Sequence, residues 1–293
     1  MKRAVALGFF DGVHIGHGAL LRRTREVSEA CALSPCVMTY SNHPSSVLSE
    51  KSVSLINTPE ERSALISELY GISDIVIKDF TPEYAALPCE EFFKKILLEE
   101  MRAGYVVAGY DFRFGRGGQG DAAMLKKLCA EHGLGCDIID EVTFEGEEVS
   151  SSHIRTLLES GDVKRANELL GHPHRTVSEV LHGHKLGRKL GFATTNQALS
   201  ADIIVPRRGV YVSMVTVDGK TFRGITNIGV RPSVSNDNKI SVETHILDFD
   251  GDLYGKKITT EFIRFLRDEI KFSTQDELLR QISQDVLAAR HEN

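Results

Sequence analysis

Two histidines near the amino terminus, His14 and His17, flank Gly16 directly after a short apolar run. The run covers residues 4–10 and lacks polar alternation, which is typical of a strand buried on both faces of a parallel sheet. An amphipathic stretch over residues 19–30 follows and predicts a helix. Imidazole nitrogens and the N–H groups of a helix start both bind anions, and glycine lets the backbone come close. We therefore expect a phosphate site at the end of the first strand.

The string around these histidines is more specific than the pair alone, which also occurs as ordinary surface or cap residues. Residues 8–17 read GFFDGVHIGH. This resembles the GxFDGxHxGH signature of the HxGH nucleotidyltransferases, in particular the adenylyltransferase half of the bacterial bifunctional riboflavin kinase/FAD synthetases. The resemblance implies that His14 and His17 bind the ATP phosphates and stabilise the transition state at the α-phosphoryl group. It assigns four further residues to ATP binding: Gly8, Phe10, Asp11 and Gly16.

The size and composition of the chain predict two globular domains in the cytoplasm. Its 293 residues are 41% apolar, enough for sizeable cores, and a net charge of −6 favours neither nucleic acid nor an anionic membrane as partner. No apolar stretch approaches the roughly 18 residues of a membrane helix. The five cysteines form no C-x-x-C pair, which favours free thiols over a disulfide framework or a zinc site. We expect no nucleic-acid partner and no membrane partner.

The first half of the chain alternates strand and helix patterns. After the first strand, strands are predicted over residues 36–40, 75–77, 105–108 and 136–139, and helices over 58–70, 90–101 and 125–132. The helix at Thr58 begins with a capping box. Such alternation predicts an α/β fold with a doubly wound parallel sheet, in which ligands bind beyond the carboxyl ends of the strands.

Two segments that follow strands of this sheet are expected at the same edge as the histidines. One contains Asn42, and the other is a glycine-rich stretch over residues 109–120, whose composition alone would also fit a flexible tip. Residues 109–115 resemble the GxDFxFG piece of the same synthetase family, whose loop lines the flavin and adenylate sites. The resemblance implies flavin contacts from five residues: Asn42, Asp111, Phe112, Arg113 and Phe114.

A serine-rich string over residues 149–155 lies where a hairpin-like segment gives way to a helix, which we expect to continue from Ile154 to about residue 170. Its hydroxyls could cap that helix, or they could bind a phosphate together with the charge of Arg155. The string resembles the (I/V)SSSxIR pattern of the family. The resemblance implies a catalytic role for Arg155 and phosphate binding by Ser150, Ser151 and Ser152.

The pattern changes beyond Gly171, and we place the domain boundary there, with domains over residues 1–171 and 172–293. Short strands separated by Gly, Pro and Asp then predict a closed antiparallel β-barrel. These strands are expected over residues 176–181, 209–217, 221–228, 242–246 and 257–265. A C-terminal amphipathic helix is predicted over residues 277–290, and its apolar face is expected to contain Leu278, Ile282, Val286 and Leu287.

A basic, glycine-rich stretch over residues 182–196 lies within this second domain. Glycine N–H groups can hold phosphate oxygens and neutral oxygens can bind Mg²⁺, but the composition fits a plain basic loop equally well. The stretch resembles the GRxLGFPTAN motif of riboflavin kinases. The resemblance implies phosphate contacts from Gly187, Arg188 and Gly191, and Mg²⁺ ligands at Thr194 and Asn196. The chain departs from the motif at Ala193 and Thr195, where the family has Pro and Ala, and this is the best sequence argument against a working kinase.

Glu243 lies in a predicted strand, on the same side as His245 and opposite Val242. A glutamate in a strand is most often solvated. In the family that the chain resembles, the matching glutamate is the base that accepts the proton of the riboflavin 5′-hydroxyl, and so poor a nucleophile does need a base. Further family pieces imply flavin contacts from Arg267 and Phe272.

The resemblance covers nearly the whole chain and implies a bifunctional enzyme of flavin cofactor synthesis. The barrel would phosphorylate riboflavin with ATP to FMN, and the N-terminal domain would adenylylate FMN with ATP to FAD and pyrophosphate, both with Mg²⁺. The expected partners are ATP, riboflavin and FMN, and the sequence leaves the oligomeric state open. Two alternatives remain: an adenylyltransferase with a decayed kinase domain, and a non-catalytic flavin-binding or regulatory protein.

Overall fold

A computed structural model describes residues 1–49, 52–181, 192, 194–200, 202–231 and 239–291. The chain divides into two compact units, Met1–His153 and Ile154–Asn293. This division falls before the boundary expected at residue 171, because residues 154–171 pack on the barrel. The Asn167 side chain donates to the backbone oxygen of Phe262 at 2.8 Å and accepts from the backbone N–H of His174 at 2.7 Å.

A five-stranded parallel sheet forms the centre of the first unit, in the order β3-β2-β1-β4-β5. Its strands are β1 Arg3–Leu7, β2 Ser34–Tyr40, β3 Asp74–Lys78, β4 Ala103–Gly109 and β5 Gly135–Ile139. Residues 4–7 of β1 are fully buried because this strand is central and both of its faces are covered. Val5 and Leu7 belong to one core cluster and Ala4 and Ala6 to another, as expected from the alternation of side chains along a strand. The predicted doubly wound sheet is confirmed.

The four predicted helices of this unit are present, with bounds close to those expected, and two short helices, Pro44–Leu48 and Pro82–Ala85, were not predicted. The helices are α1 Ile15–Ala30, α2 Pro44–Leu48, α3 Pro59–Tyr70, α4 Pro82–Ala85, α5 Cys89–Glu91, a π-helix Phe92–Glu100 that continues α5, and α6 Ala122–Glu131. A 3₁₀ turn, Arg116–Gly118, and a hairpin of β6 Thr143–Phe144 with β7 Glu147–Glu148 complete the unit. The capping box of α3 is confirmed, since Thr58 and Glu61 each accept from the other's backbone N–H. Stretches of π-helix are uncommon, and the sequence pattern predicted an ordinary helix here.

The single helix expected from Ile154 to about residue 170 is wrong. Two helices occupy this range, α7 Ser151–Ser160 and α8 Val163–Leu170. They are separated at Gly161, whose φ of 90° lies outside the helical region. The next residue, Asp162, starts α8 by accepting the N–H of Arg165 at 3.2 Å.

The second unit contains a closed six-stranded antiparallel barrel, as predicted, in the order β10-β11-β12-β9-β8-β13. Its strands are β8 His174–Leu181, β9 Thr194–Gln197, β10 Gly209–Val217, β11 Lys220–Arg231, β12 Lys239–Ile246 and β13 Lys257–Arg267. The sequence pattern missed β9 because its four residues are all polar. The barrel interior accepts such a strand, since the buried side-chain amide of Gln197 hydrogen-bonds to hydroxyls of Ser178, Thr244 and Thr260 at 2.8–3.1 Å.

The last helix, α9 Gln275–Arg290, is capped by Thr274 and packs against β10 and β11 through Val286 and Ala289. The predicted apolar face of α9 is wrong at Leu287, because this side chain is 57% exposed. Asp285, by contrast, is buried. Within the described ranges, no helix combines the length and the apolar character needed to cross a membrane.

Candidate active sites

The turn after β1 is held in a conformation that few residues adopt. Phe10 and Val13 have φ values of 56° and 46°, and a left-handed conformation is a genuine outlier for a β-branched valine. Both side chains are fully buried, so packing maintains the strain. This turn delivers His14 to the N-cap position of α1.

His14 and His17 lie face to face, with ring centroids 3.5 Å apart and planes inclined by 17°. The Nδ1 atom of His14 accepts the backbone N–H of His17 at 3.2 Å, so the neutral His14 ring carries its proton on Nε2. A Cβ at residue 16 would lie 3.1 Å from the His14 ring, which explains the glycine between the two histidines. The structure thus presents two imidazoles at the positively polarised start of a helix.

The pKa of His17 is lowered well below its ordinary value. Burial is the main cause, followed by the nearby His14 and by the positive charge of Arg62. Its Nδ1 atom is buried and has no hydrogen-bond partner within the described part of the chain. A neutral imidazole with an unsatisfied nitrogen is a ready polar ligand for an incoming group.

The buried side chains of Phe10 and Asp11 support the turn, and ATP binding by these two residues stays a prediction. Asp11 is 1% exposed, and its carboxylate accepts the backbone N–H groups of Ile56 and Asn57 at 3.0–3.2 Å. The Phe10 ring packs edge-on against His17 at 5.2 Å between centroids. A carboxylate does not favour direct contact with phosphate, since both are negatively charged.

The beginning of α7 approaches the same turn. The Ser151 hydroxyl donates to the backbone oxygen of Asp11 at 2.9 Å, and Ser150 Oγ caps the helix by accepting the N–H of His153 at 3.3 Å. Ser150 thus caps α7 and Ser152 is exposed, and phosphate binding by the three serines stays a prediction. Two helix starts, those of α1 and α7, thus come together around the histidines. Arg155 follows one turn later in α7, within the second compact unit.

The segments expected to contact the flavin divide into buried and exposed parts. Phe114 is 5% exposed and packs against Phe92 in the core, and its flavin contact stays a prediction. Its neighbours Asp111 and Arg113 are exposed and Phe112 is half-buried. The Asn42 amide donates to and accepts from the backbone of Phe80 at 3.0 and 2.9 Å. The flavin contacts of Asn42, Asp111, Phe112 and Arg113 stay predictions.

In the second unit, a cavity of ≈ 360 Å³ lies against the outer face of the barrel, and α9 contributes to its wall. Glu243 and His245 point into it from β12, while Val242 and Thr244 are buried, so the predicted alternation is confirmed. Thr194, Arg267 and Phe272 also line the cavity, so four of the residues singled out from the sequence share one pocket.

A row of polar residues crosses three strands at Glu243. Asn196 on β9 and Asn227 on β11 both lie directly opposite Glu243 in register and hence on the same face. Asn196 is 8% exposed, and its Oδ1 atom has no hydrogen-bond partner among the residues that the structure describes. Thr194 lies two residues before Asn196, on the same face of β9. The side-chain oxygens of Asn196 and Thr194 therefore suit a hard divalent cation that keeps most of its water.

Several predicted residues cannot be placed. The phosphate-binding candidates Gly187, Arg188 and Gly191, and Ala193, which departs from the kinase motif, lie outside the described residues. Among the residues that are described, no cluster of three or more His, Cys, Asp or Glu side chains could hold a metal ion.

Sequence reasoning missed two buried charged side chains, Arg62 and Asp285. Both are charged residues within the buried stripe of an amphipathic helix: Arg62 precedes Leu65 and Ile66 in α3, and Asp285 follows Ile282 in α9. A charge at such a position is a signal, because an unpaired charge is rarely buried.

The two units match two family models. The FAD synthetase model matches residues 1–153, and the riboflavin kinase model matches residues 170–292. The chain belongs to the family of bifunctional riboflavin kinases/FMN adenylyltransferases. It carries both enzymatic domains, a kinase and a nucleotidyltransferase of FMN and FAD synthesis.

Relatives in this family are similar over nearly their whole length. The bifunctional riboflavin kinase/FMN adenylyltransferases of Listeria monocytogenes and Bacillus subtilis are 33% and 34% identical, each over 97% of this chain and 90% of the relative. A crystal structure described as a macrolide-efflux protein from Streptococcus pneumoniae is similar with a TM-score of 0.90 at 29% identity, covering 100% of this chain and 95% of that one. The presence of both family domains favours the bifunctional enzyme over the two alternatives left open by the sequence.

Proposed function

We propose that the two reactions divide at residue 171, so that residues 1–171 adenylylate FMN and residues 172–293 phosphorylate riboflavin, in the cytoplasm and with Mg·ATP as the common substrate. This boundary assigns Arg155, from the serine motif, to the adenylyltransferase reaction. The stacked pair of His14 and His17 at the start of α1 carries the first assignment. The position of Glu243 in the cavity, in register with Asn196, carries the second.

In the adenylyltransferase, an FMN phosphate oxygen attacks the α-phosphorus of ATP, and the bond to the leaving pyrophosphate breaks. No covalent enzyme intermediate is needed, so catalysis depends on alignment and on stabilising the charge of the transition state. His14 and His17 donate hydrogen bonds to the phosphates, and Arg155 supplies a permanent charge. The nucleotide contacts the backbone at Gly8 and Gly16, and the start of α7 with Ser150, Ser151 and Ser152 binds phosphate oxygens.

In the kinase, the riboflavin 5′-oxygen attacks the γ-phosphorus of ATP, and ADP leaves. Glu243 accepts the hydroxyl proton, which makes the oxygen a better nucleophile as the new bond forms. Thr194 and Asn196 would hold Mg²⁺, which neutralises charge on the transferring phosphoryl group. Gly187, Arg188 and Gly191 would bind the ATP phosphates, and Arg267 and Phe272 the flavin.

Product analysis by chromatography tests the assignment. The chain is mixed with Mg·ATP and either riboflavin or FMN, and we expect FMN and FAD from the first mixture and FAD from the second. FAD from FMN without any FMN from riboflavin would indicate a decayed kinase. A chain that binds flavin but yields neither product would be a binding protein.

A further inference from the structure

The chain after β13 forms one side of the cavity around Glu243. Residues 267–272, here called the wall segment, leave the barrel at Arg267 and lead towards α9. Arg267, Glu269 and Phe272 from this segment and Asp285 from α9 all line the cavity. Arg267 is the last residue of β13 and pairs with Val210, but the residues after it have no ladder of backbone hydrogen bonds, so side chains must fix their position.

Arg267 is bound to Asp285 through two parallel contacts. Its Nε lies 3.0 Å from Oδ1 and its Nη2 lies 2.6 Å from Oδ2, the planar geometry in which arginine and carboxylate bind most specifically. The Asp285 side chain is 4% exposed and also accepts Gln281 Nε2 at 3.0 Å. The remaining guanidinium nitrogen of Arg267, Nη1, donates to the backbone oxygen of Asp268 at 2.9 Å. The bond joins the start of the wall segment to the middle of α9.

The wall segment also contacts β11, the strand next to Glu243. Glu269 Oε1 accepts from Asn227 Nδ2 at 3.3 Å, and Asn227 lies opposite Glu243 in register. A Cβ at residue 229 would lie 2.4 Å from the same Glu269 oxygen, so Gly229 provides the space for this contact. The wall segment is thus held between α9 and the strand next to Glu243.

We propose that Asp285 is a positioning residue of the kinase. Acting through Arg267, it fixes the wall segment so that a bound riboflavin presents its 5′-hydroxyl to Glu243. This inference rests on the kinase function proposed for the cavity. A second ion pair on the same helix, Arg290 with Asp248 at 2.6 Å, is exposed at both ends and lies outside the cavity, so it provides a matched control.

The test compares Asp285→Asn with Asp248→Asn in steady-state FMN formation from riboflavin. Asparagine keeps the shape of aspartate but removes the charge that binds Arg267, and bonds to charged groups are the strong ones. We expect the KM for riboflavin to rise about 10- to 100-fold in Asp285→Asn, with a smaller effect on kcat, and to change less than about twofold in Asp248→Asn. FAD formation from supplied FMN should be unchanged in both.

Further variants show whether Asp285 acts through Arg267. If it does, Arg267→Gln with Asp285→Asn should raise KM no more than Arg267→Gln alone, because both changes remove one interaction. The proposal would be overturned if the two substitutions raised the KM for riboflavin independently, so that their effects multiply in the double variant. It would also be overturned by an unchanged KM in a folded Asp285→Asn protein, or by an equal rise in KM in Asp248→Asn. Should Asp285→Asn fail to fold, Gln281→Leu removes the second donor to the carboxylate and should still raise KM a few-fold, whereas no change would count against the proposal.

Riboflavin binding, followed by quenching of its fluorescence, separates this inference from the proposed function. If the wild type binds riboflavin without phosphorylating it, and Asp285→Asn weakens that binding, the kinase assignment fails and the positioning role stands. If the wild type forms FMN but the affinity and KM for riboflavin are the same in Asp285→Asn, the positioning role fails alone. A wild type that neither binds nor phosphorylates riboflavin overturns both.

Discussion

The Arg62 guanidinium lies 3.9 Å from the Asp11 carboxylate, and neither side chain is exposed to solvent. Arg62 also donates to Thr39 Oγ1 at 3.0 Å and to the backbone oxygen of Tyr40 at 2.8 Å, and it stacks over Phe9 at 4.3 Å. A charge from α3 therefore joins the ends of β1 and β2 beneath the turn that carries the histidines. Removing one partner of a buried pair leaves the other charge uncompensated, so this contact should matter for stability.

We expect Arg62→Met to lower the free energy of unfolding of the first unit by about 3–5 kcal/mol. Urea titrations measure this change. The loss of FAD formation with rising urea concentration reports unfolding of the first unit, and the loss of FMN formation reports unfolding of the second. Arg3→Met is the control, since the Arg3–Asp74 pair in the same sheet is partly exposed and contributes little. Equal urea midpoints for Arg62→Met and the wild type would contradict the role of the buried pair.

Replacement of His17 or Arg155 by alanine should abolish most FAD formation and leave FMN formation intact. Loss of one preorganised donor to a developing charge costs about 2.7–4 kcal/mol, which is roughly 10² to 10³ in rate. Both activities are measured on the same preparation, so the kinase serves as the check on folding. His153→Ala, at the x of the (I/V)SSSxIR pattern, should change neither rate. Equal loss of both activities in a folded His17→Ala protein would show that the histidine site does not belong to one reaction.

Glu243→Gln should slow FMN formation about 10²- to 10⁴-fold, since glutamine keeps the volume and most hydrogen bonding but cannot accept a proton. Adenylylation of supplied FMN should be nearly unchanged. The matched control is Glu179→Gln, which alters an exposed glutamate of β8 in the same barrel. Normal FMN production by Glu243→Gln would mean that this side chain is merely a solvated strand residue.

His174 should make the barrel sensitive to acid. Burial, followed by the nearby His172, lowers the pKa of His174 to about 3, against about 6.5 in an unfolded chain. Between these values the unfolded state binds a proton that the folded state does not, so stability is full above pH 6.5 and falls as the pH drops towards 3. We expect His174→Leu to reduce the slope of unfolding free energy with pH by up to about 1.4 kcal/mol per unit.

Urea unfolding of the second unit between pH 7 and pH 5 measures that slope. His291→Leu, which changes an exposed histidine after α9, is the control and should keep the wild-type slope. A His174→Leu protein with the same pH slope as the wild type would show that the buried ring is not the group that titrates.

The sequence by itself determined those features that short-range chemistry specifies. Buried strands such as β1 are uninterrupted apolar runs. The start of α3 is specified by the capping box of Thr58 and Glu61, three residues apart. The types and spacing of His14, Gly16 and His17 likewise placed a candidate anion site at a strand end. Each of these depends on residues within a few positions of one another, so no knowledge of distant segments was needed.

Only the tertiary structure decided which polar side chains stabilise the fold through internal hydrogen bonds and ion pairs. Asp11 belongs to the signature string, yet its partners are backbone N–H groups some 45 residues further on. Strand β9 has no apolar pattern, and it exists because the hydroxyls of distant strands satisfy Gln197 inside the closed barrel. Asp285 gains its position at the cavity from Arg267, 18 residues earlier in the chain. In each case burial requires a hydrogen-bond partner, and the partner comes from a segment distant in the sequence. Local residue preferences do not specify which distant residue that partner will be.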